Sequence, residues 1–77
     1  MARVGLVIHE DRPEAVTQAK QLAGRLTEQG HVARRSDDPA LEPEAFVDGL
    51  DLVVSMGGDG SILRAVHLLD GRPVPVL

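Results

Sequence analysis

Cysteine, tryptophan and tyrosine are absent from these 77 residues, and phenylalanine occurs once, at Phe46. Without cysteine there is no disulfide framework to brace a small fold and no thiolate zinc site. Without an aromatic cluster there is no platform for stacking nucleic-acid bases and no cage for a quaternary ammonium group, so the core has to be aliphatic. A basic block is missing as well: 8 Lys and Arg against 12 Asp and Glu give a net charge of −4, spread along the chain. That balance argues against binding nucleic acid or an anionic membrane through bulk charge. No apolar run approaches the roughly 20 residues of a membrane helix, and the opening MARVGLVIHEDRPEA meets Glu10 and Asp11 where a cleavable signal would place its apolar core. These features predict a soluble, cytoplasmic chain of one domain, which buries only about 60% of the surface its unfolded form exposes.

What is present reads as alternating strands and helices. Residues 4 to 9, VGLVIH, form a short apolar run with the length of a buried strand. From Pro13 to Gln29, Val16, Ala19, Leu22, Ala23 and Leu26 recur at three- and four-residue spacing, which predicts an amphipathic helix. Pro13 suits its first position and Gly30 the left-handed residue that closes it. HVARR, residues 31 to 35, is a weaker strand, followed by a polar loop through SDDPALEPEAF with a helical turn near Glu44 to Val47. LDLVVSM, residues 50 to 56, is the second strong strand. SILRAVHLL, residues 61 to 69, places Ile62, Leu63, Val66 and Leu69 on one helical face, expected to be the buried one, and Gly71 with Pro73 stops the helix. VPVL follows as a last apolar run. The order predicts an α/β fold, an open parallel sheet with flanking helices. With no helix after it to cover VPVL, the chain is expected to be the first part of a larger α/β protein.

The junction Gly57-Gly58-Asp59-Gly60 carries the chemistry. In an open parallel sheet, ligands sit where strand ends lead into helix N-termini. Glycines there let a phosphate approach backbone N–H groups without a β-carbon in the way, and the helix that follows adds free N–H groups and a positive dipole end. A carboxylate, with its ordinary pKa near about 4, would repel phosphate at neutral pH. Asp59 therefore needs a different role, either accepting a hydrogen bond from a hydroxyl or helping to hold magnesium. A hydroxyl acceptor beside a phosphate cradle is what a phosphotransferase requires, because catalysis there is mostly positioning and electrostatics. An aspartate in a glycine-rich turn also suits an ordinary helix N-cap, and the spacing leaves both roles open. Neither a Walker loop nor the GxGxxG dinucleotide pattern is present.

GGDGSILRA after an apolar strand resembles the signature of the NAD kinase family, whose GGDG motif is shared more loosely with diacylglycerol and sphingosine kinases and, more distantly, with phosphofructokinases. VGLVIH, the helix after EDRPEA, DLVVSMGGDGSILRAVHLL and RPVPVL are all similar to the N-terminal domain of NAD kinases, so the likeness covers essentially the whole chain. It implies a Rossmann-like N-terminal domain, partial over residues 1–77, with the C-terminal β-rich NAD-binding domain and the Asn-Glu motif outside this chain. It implies transfer of a phosphoryl group from ATP or polyphosphate, with Mg2+, to the 2′-hydroxyl of the adenosine ribose of NAD, by a full-length protein that assembles as a dimer or tetramer. Asp59 matches the catalytic proton acceptor, Gly60 and Arg64 match dinucleotide contacts, and Gly57 and Gly58 match the turn that approaches the phosphate donor. Ser61 stands where Thr is common and keeps the hydroxyl. These 77 residues alone are expected to be inactive.

Two other readings compete. A lipid kinase would share the motif but usually has an Asn-Pro type turn after its first strand, where this chain has HEDRP. A non-catalytic nucleotide-binding module would keep the cradle without its partners. On the same sheet edge, His9, Glu10, Asp11 and Arg12 are candidates for a phosphate or magnesium contact, with ordinary loop charge the plainer explanation. His31 and His67 lack partners at metal-ligand spacing, so zinc is not expected and no metal ligand is assigned. Arg34 and Arg35 read as solubilising charge, and Asp37 and Asp38 as turn formers before Pro39.

Overall fold

The computed structural model describes residues 1–9 and 11–77, with the backbone but not the side chain of Asp59. The elements run β1 (Arg3–Ile8), α1 (Pro13–Glu28), β2 (Val32–Arg35), α2 (Pro43–Val47), β3 (Leu52–Met56) and α3 (Asp59–Leu69). The three strands form one parallel sheet in the order β2-β1-β3, an open α/β architecture of the Rossmann-like kind. Beyond β3, Val76 makes a single parallel bridge to Val53, and Leu77 N–H donates to Val53 O at 2.8 Å. The final apolar run thus lies along the sheet as the start of a further strand position.

Alternation along β1 distributes its side chains between two layers. Val4, Leu6 and Ile8 pack against Ala15 and Ala19 of α1 on one face, while Val7 joins Phe46, Val47, Leu50, Val53, Ala65 and Leu69 on the other. The helices therefore cover both faces of β1, and each of its buried residues is in contact with one layer or the other. Pro13 occupies the first turn of α1, and Gly30 follows its C-cap at φ +86°, as the sequence predicts.

α3 departs from expectation in two ways. It begins at Asp59 rather than near Ser61, with Gly58 as its N-cap, so the motif is split between a turn and the first helical turn. Its inward face is also different: Ser61, Ala65 and Leu69 are buried, whereas Ile62, Leu63 and Val66 are 44%, 72% and 59% exposed. The cause is the short connection. Only Gly57 and Gly58 separate β3 from α3, which fixes the helix's rotation about its axis, and small Ser61 and Ala65 then allow its backbone to lie close to the sheet. Ile62, Leu63 and Val66 turn away from it.

Arg34 and Arg35 do more than solubilise. Arg34 Nη1 donates to Phe46 O at 3.2 Å and to Asp48 O, tying the end of α2 to β2, while Arg35 Nε bonds Asp37 Oδ1 at 2.9 Å. Asp38 accepts from Ala40 N–H at 3.0 Å, the turn-forming role predicted for it. Arg34→Met keeps the aliphatic stem but leaves the two carbonyls without the guanidinium. It is expected to destabilise the full-length protein by about 1–2 kcal/mol, read from the denaturant midpoint.

Candidate functional site

The chain leaves β1 toward β2 on one side and returns to β3 on the other, so the β1/β3 boundary is the topological switch point of the sheet. Such a boundary opens a crevice outside the carboxyl ends of the strands. A cleft of about 200 Å3 lies there, lined by Ile8, His9, Asp11, Gly60, Ser61 and Arg64. Gly60 and Ser61, in the first turn of the helix that follows β3, line it on one side, and His9 and Asp11, which follow β1, line it on the other.

The turn is shaped by glycine geometry. Gly57 and Gly58 have φ of +117° and +107°, a region that side chains with a β-carbon rarely adopt. The two differ in what surrounds them. A β-carbon on Gly57 would lie 2.5 Å from His9 Cβ, so the turn is packed onto the residue after β1; a β-carbon on Gly58 would meet no atom within 4 Å. Gly58 thus presents open backbone, and Gly57 secures the turn to the sheet. Ser61 N–H and Oγ both bond Gly58 O, at 3.1 and 2.6 Å. The hydroxyl predicted to stand in the motif is buried and closes the turn from inside, a role that spacing alone does not reveal.

Because the N-cap is glycine and makes no side-chain cap, the N–H groups of α3 that precede Ser61 depend on partners from outside the helix. Gly60 lies in that first turn and lines the cleft, as does Arg64 one turn later. Arg64 also borders a second, smaller cavity of about 60 Å3 with Arg35, Ser36, Leu41, Pro43, Phe46 and Leu68. Of the other candidates on this edge, His9 and Asp11 line the cleft and Arg12 is the exposed N-cap of α1. Glu10 and the side chain of Asp59 lie outside the described residues. His31 is occupied elsewhere, its Nδ1 accepting from Ala2 N–H at 2.9 Å, and His67 is exposed in the last turn of α3. Among the described residues, no group of three or more His, Asp or Glu side chains is placed to hold a metal ion. No described helix is long and apolar enough to cross a membrane.

Among the described residues, the arrangement is a helix N-terminus with open glycine backbone, the Arg64 guanidinium and the His9 imidazole beside it, and the Asp11 carboxylate on the loop after β1. Comparison with known proteins sharpens what it is similar to. Over 96% of its length the chain is 40% identical to the NAD kinase of Bdellovibrio bacteriovorus, and over 100% it is 37% identical to the NAD kinase of Symbiobacterium thermophilum. It is also 29% identical, over 97% of its length, to a bifunctional NADP phosphatase/NAD kinase of Methanocaldococcus jannaschii. The chain spans 27%, 30% and 14% of these three relatives. It matches no family profile, and no solved structure matches it.

Proposed function

From a chain that belongs to the NAD kinase family and matches the N-terminal part of its members, we propose a full-length protein that phosphorylates NAD at the 2′-hydroxyl of its adenosine ribose to give NADP. The observation that carries this reading is a conjunction. The likeness to NAD kinases runs through Gly57-Gly58-Asp59-Gly60, and that segment opens α3 beside the switch-point cleft.

The likeness to NAD kinases and the geometry of the turn together support the following division of labour. The phosphate donor, ATP or polyphosphate, approaches the open backbone at Gly58, with Gly57 holding the turn in place. Gly60 and Arg64 contact the dinucleotide; a guanidinium one turn into α3 adds charge where the helix dipole already favours an anion. Asp59 accepts a hydrogen bond from the 2′-hydroxyl and orients it. As the new O–P bond forms and the bond to the donor's leaving group breaks, the hydroxyl proton passes to the Asp59 carboxylate. Little more is asked of the protein, since phosphoryl transfer is catalysed chiefly by positioning and by fixed charge.

Magnesium belongs to this reading as the ion that neutralises donor phosphate charge when bound. Such an ion would be bound chiefly through the donor's phosphate oxygens and water. Residues 1–77 form part of an N-terminal α/β domain, and a β-rich domain with an Asn-Glu pair completes the site. The protein works in the cytoplasm as a dimer or tetramer.

The test is an assay of the full-length protein with ATP and either NAD or diacylglycerol as acceptor. NADP formation with no phosphatidate is expected. Phosphatidate as the product would establish a lipid kinase, and no transfer to either acceptor would establish a binding module.

A further inference from the structure

The division of labour among Gly57, Gly58, Asp59, Gly60 and Arg64 leaves one ring of the cleft unused. His9 follows the last residue of β1, and its N–H donates to Met56 O at 3.0 Å, which makes it one more rung of the ladder to β3. The side chain is consequently fixed in direction. Its Cβ lies against Gly57, and the edge of its ring faces Gly60, with Cδ2 3.7 Å and Nε2 3.8 Å from the place a β-carbon on Gly60 would take. The imidazole therefore stands beside the first turn of α3, half-buried, in the wall of the same cleft as Arg64. Among the described residues its ring nitrogens have no hydrogen-bond partner.

We propose that His9 contacts phosphate in this site, donating a hydrogen bond from Nε2 to a phosphoryl oxygen held at the start of α3. The proposal rests on the reading of the cleft as a phosphoryl-transfer site. Three features converge on it. The N–H groups of α3 that precede Ser61 have no acceptor within the helix and favour an anion, while Ser61 N–H is taken by Gly58 O. The missing β-carbons of Gly58 and Gly60 leave that backbone approachable, and the space beside Gly60 is bounded by the ring itself. Arg64 brings a second donor set, a planar guanidinium, from the helix side. Asp11, the carboxylate that lines the cleft among the described residues, repels an anion, so a phosphate favours the neighbourhood of Gly60, His9 and Arg64. There the imidazole supplies a donor from the β1 side that neither the helix nor Arg64 provides.

The phosphate has two sources, the donor's phosphate chain and the pyrophosphate of the dinucleotide, and titration separates them. Inorganic tripolyphosphate and NAD are titrated calorimetrically into the full-length protein and its His9→Leu, His9→Phe and His9→Gln variants, with thermal unfolding as a check on folding. Leu keeps bulk, Phe keeps a ring against Gly60, and Gln places an amide N–H near the position of Nε2. Leu and Phe are expected to weaken binding about tenfold, with Gln within about threefold of wild type. A loss confined to tripolyphosphate assigns the contact to the donor, and a loss confined to NAD assigns it to the pyrophosphate. Unchanged affinity for both ligands in the Leu variant overturns the proposal, as does recovery by Phe without recovery by Gln, which makes the ring a packing element. So does a wild-type protein that binds neither. A protein that binds tripolyphosphate through His9 yet forms no NADP leaves this contact standing and overturns the kinase reading alone.

Discussion

Asp59→Asn in the full-length protein is expected to reduce turnover by about 10²–10⁴-fold, the range associated with loss of a positioned general base. Asparagine preserves the shape of the side chain and can still accept a hydrogen bond from the ribose hydroxyl, so affinity for NAD should change little. What it cannot do is take the proton that leaves as the O–P bond forms. The substitution also removes a negative charge from the first turn of α3, worth about 0.3–1 kcal/mol at a helix N-terminus. The accompanying stability change is therefore small beside the kinetic one. Steady-state kinetics with NAD varied, alongside thermal unfolding, separates the two. Near-normal turnover would remove Asp59 from the chemistry and leave it as a helix-terminal charge.

Gly57→Ala should be nearly as damaging for a different reason. At φ +117° a β-carbon is strained wherever it points, and here it would lie 2.5 Å from His9 Cβ. The strain alone is of order 1–3 kcal/mol. Neither side can yield easily, since His9 is tied by its N–H to Met56 O and Gly57 is the residue immediately after that strand. The turn has to move, and with it Asp59 two residues on. A displacement of about 1 Å at a reacting group is enough to lower activity about 100-fold. Gly58→Ala is the informative comparison. It carries the same kind of backbone strain at φ +107° but meets no protein atom within 4 Å, so any further loss of affinity for the phosphate donor beyond its stability loss reports a ligand's approach to that backbone. Equal activity in Gly57→Ala and wild type would mean that the turn does not position the site.

The framework is legible in the sequence because it is built from local signals. Val16, Ala19, Leu22, Ala23 and Leu26 mark the face of α1, and Pro13 and Gly30 mark its ends, each acting within a few residues of itself. α3 is less legible. Its apolar residues surround more than half the helix, so periodicity has no single face to choose, and the choice falls to the length of the Gly57-Gly58 connection and to the small size of Ser61 and Ala65. Its start at Asp59 is hidden for a similar reason: Gly60 is a poor helix former, and the tertiary setting overrides it.

The site divides along the same line. The glycines and Asp59 stand out by composition and position after a strand, and the likeness to NAD kinases is carried by contiguous residues. His9 approaches Gly57 and Gly60 only because β1 and β3 are neighbours in register, with Ile8 opposite Met56. Ser61 bonding Gly58 O and Arg34 bonding Phe46 O are likewise products of folded geometry. Such contacts depend on long-range pairing, which no spacing rule reports.

The most direct test of Asp59 as the acceptor of the ribose proton is the structure of the full-length protein with NAD bound, read at one distance: from the Asp59 carboxylate to the 2′-oxygen of the adenosine ribose. Hydrogen-bond contact is expected, about 2.6–3.2 Å, with the ribose seated beside Gly60 and Arg64. An Asp59 carboxylate turned back onto the first-turn N–H groups of α3, with the 2′-hydroxyl bound by other residues, would contradict that role.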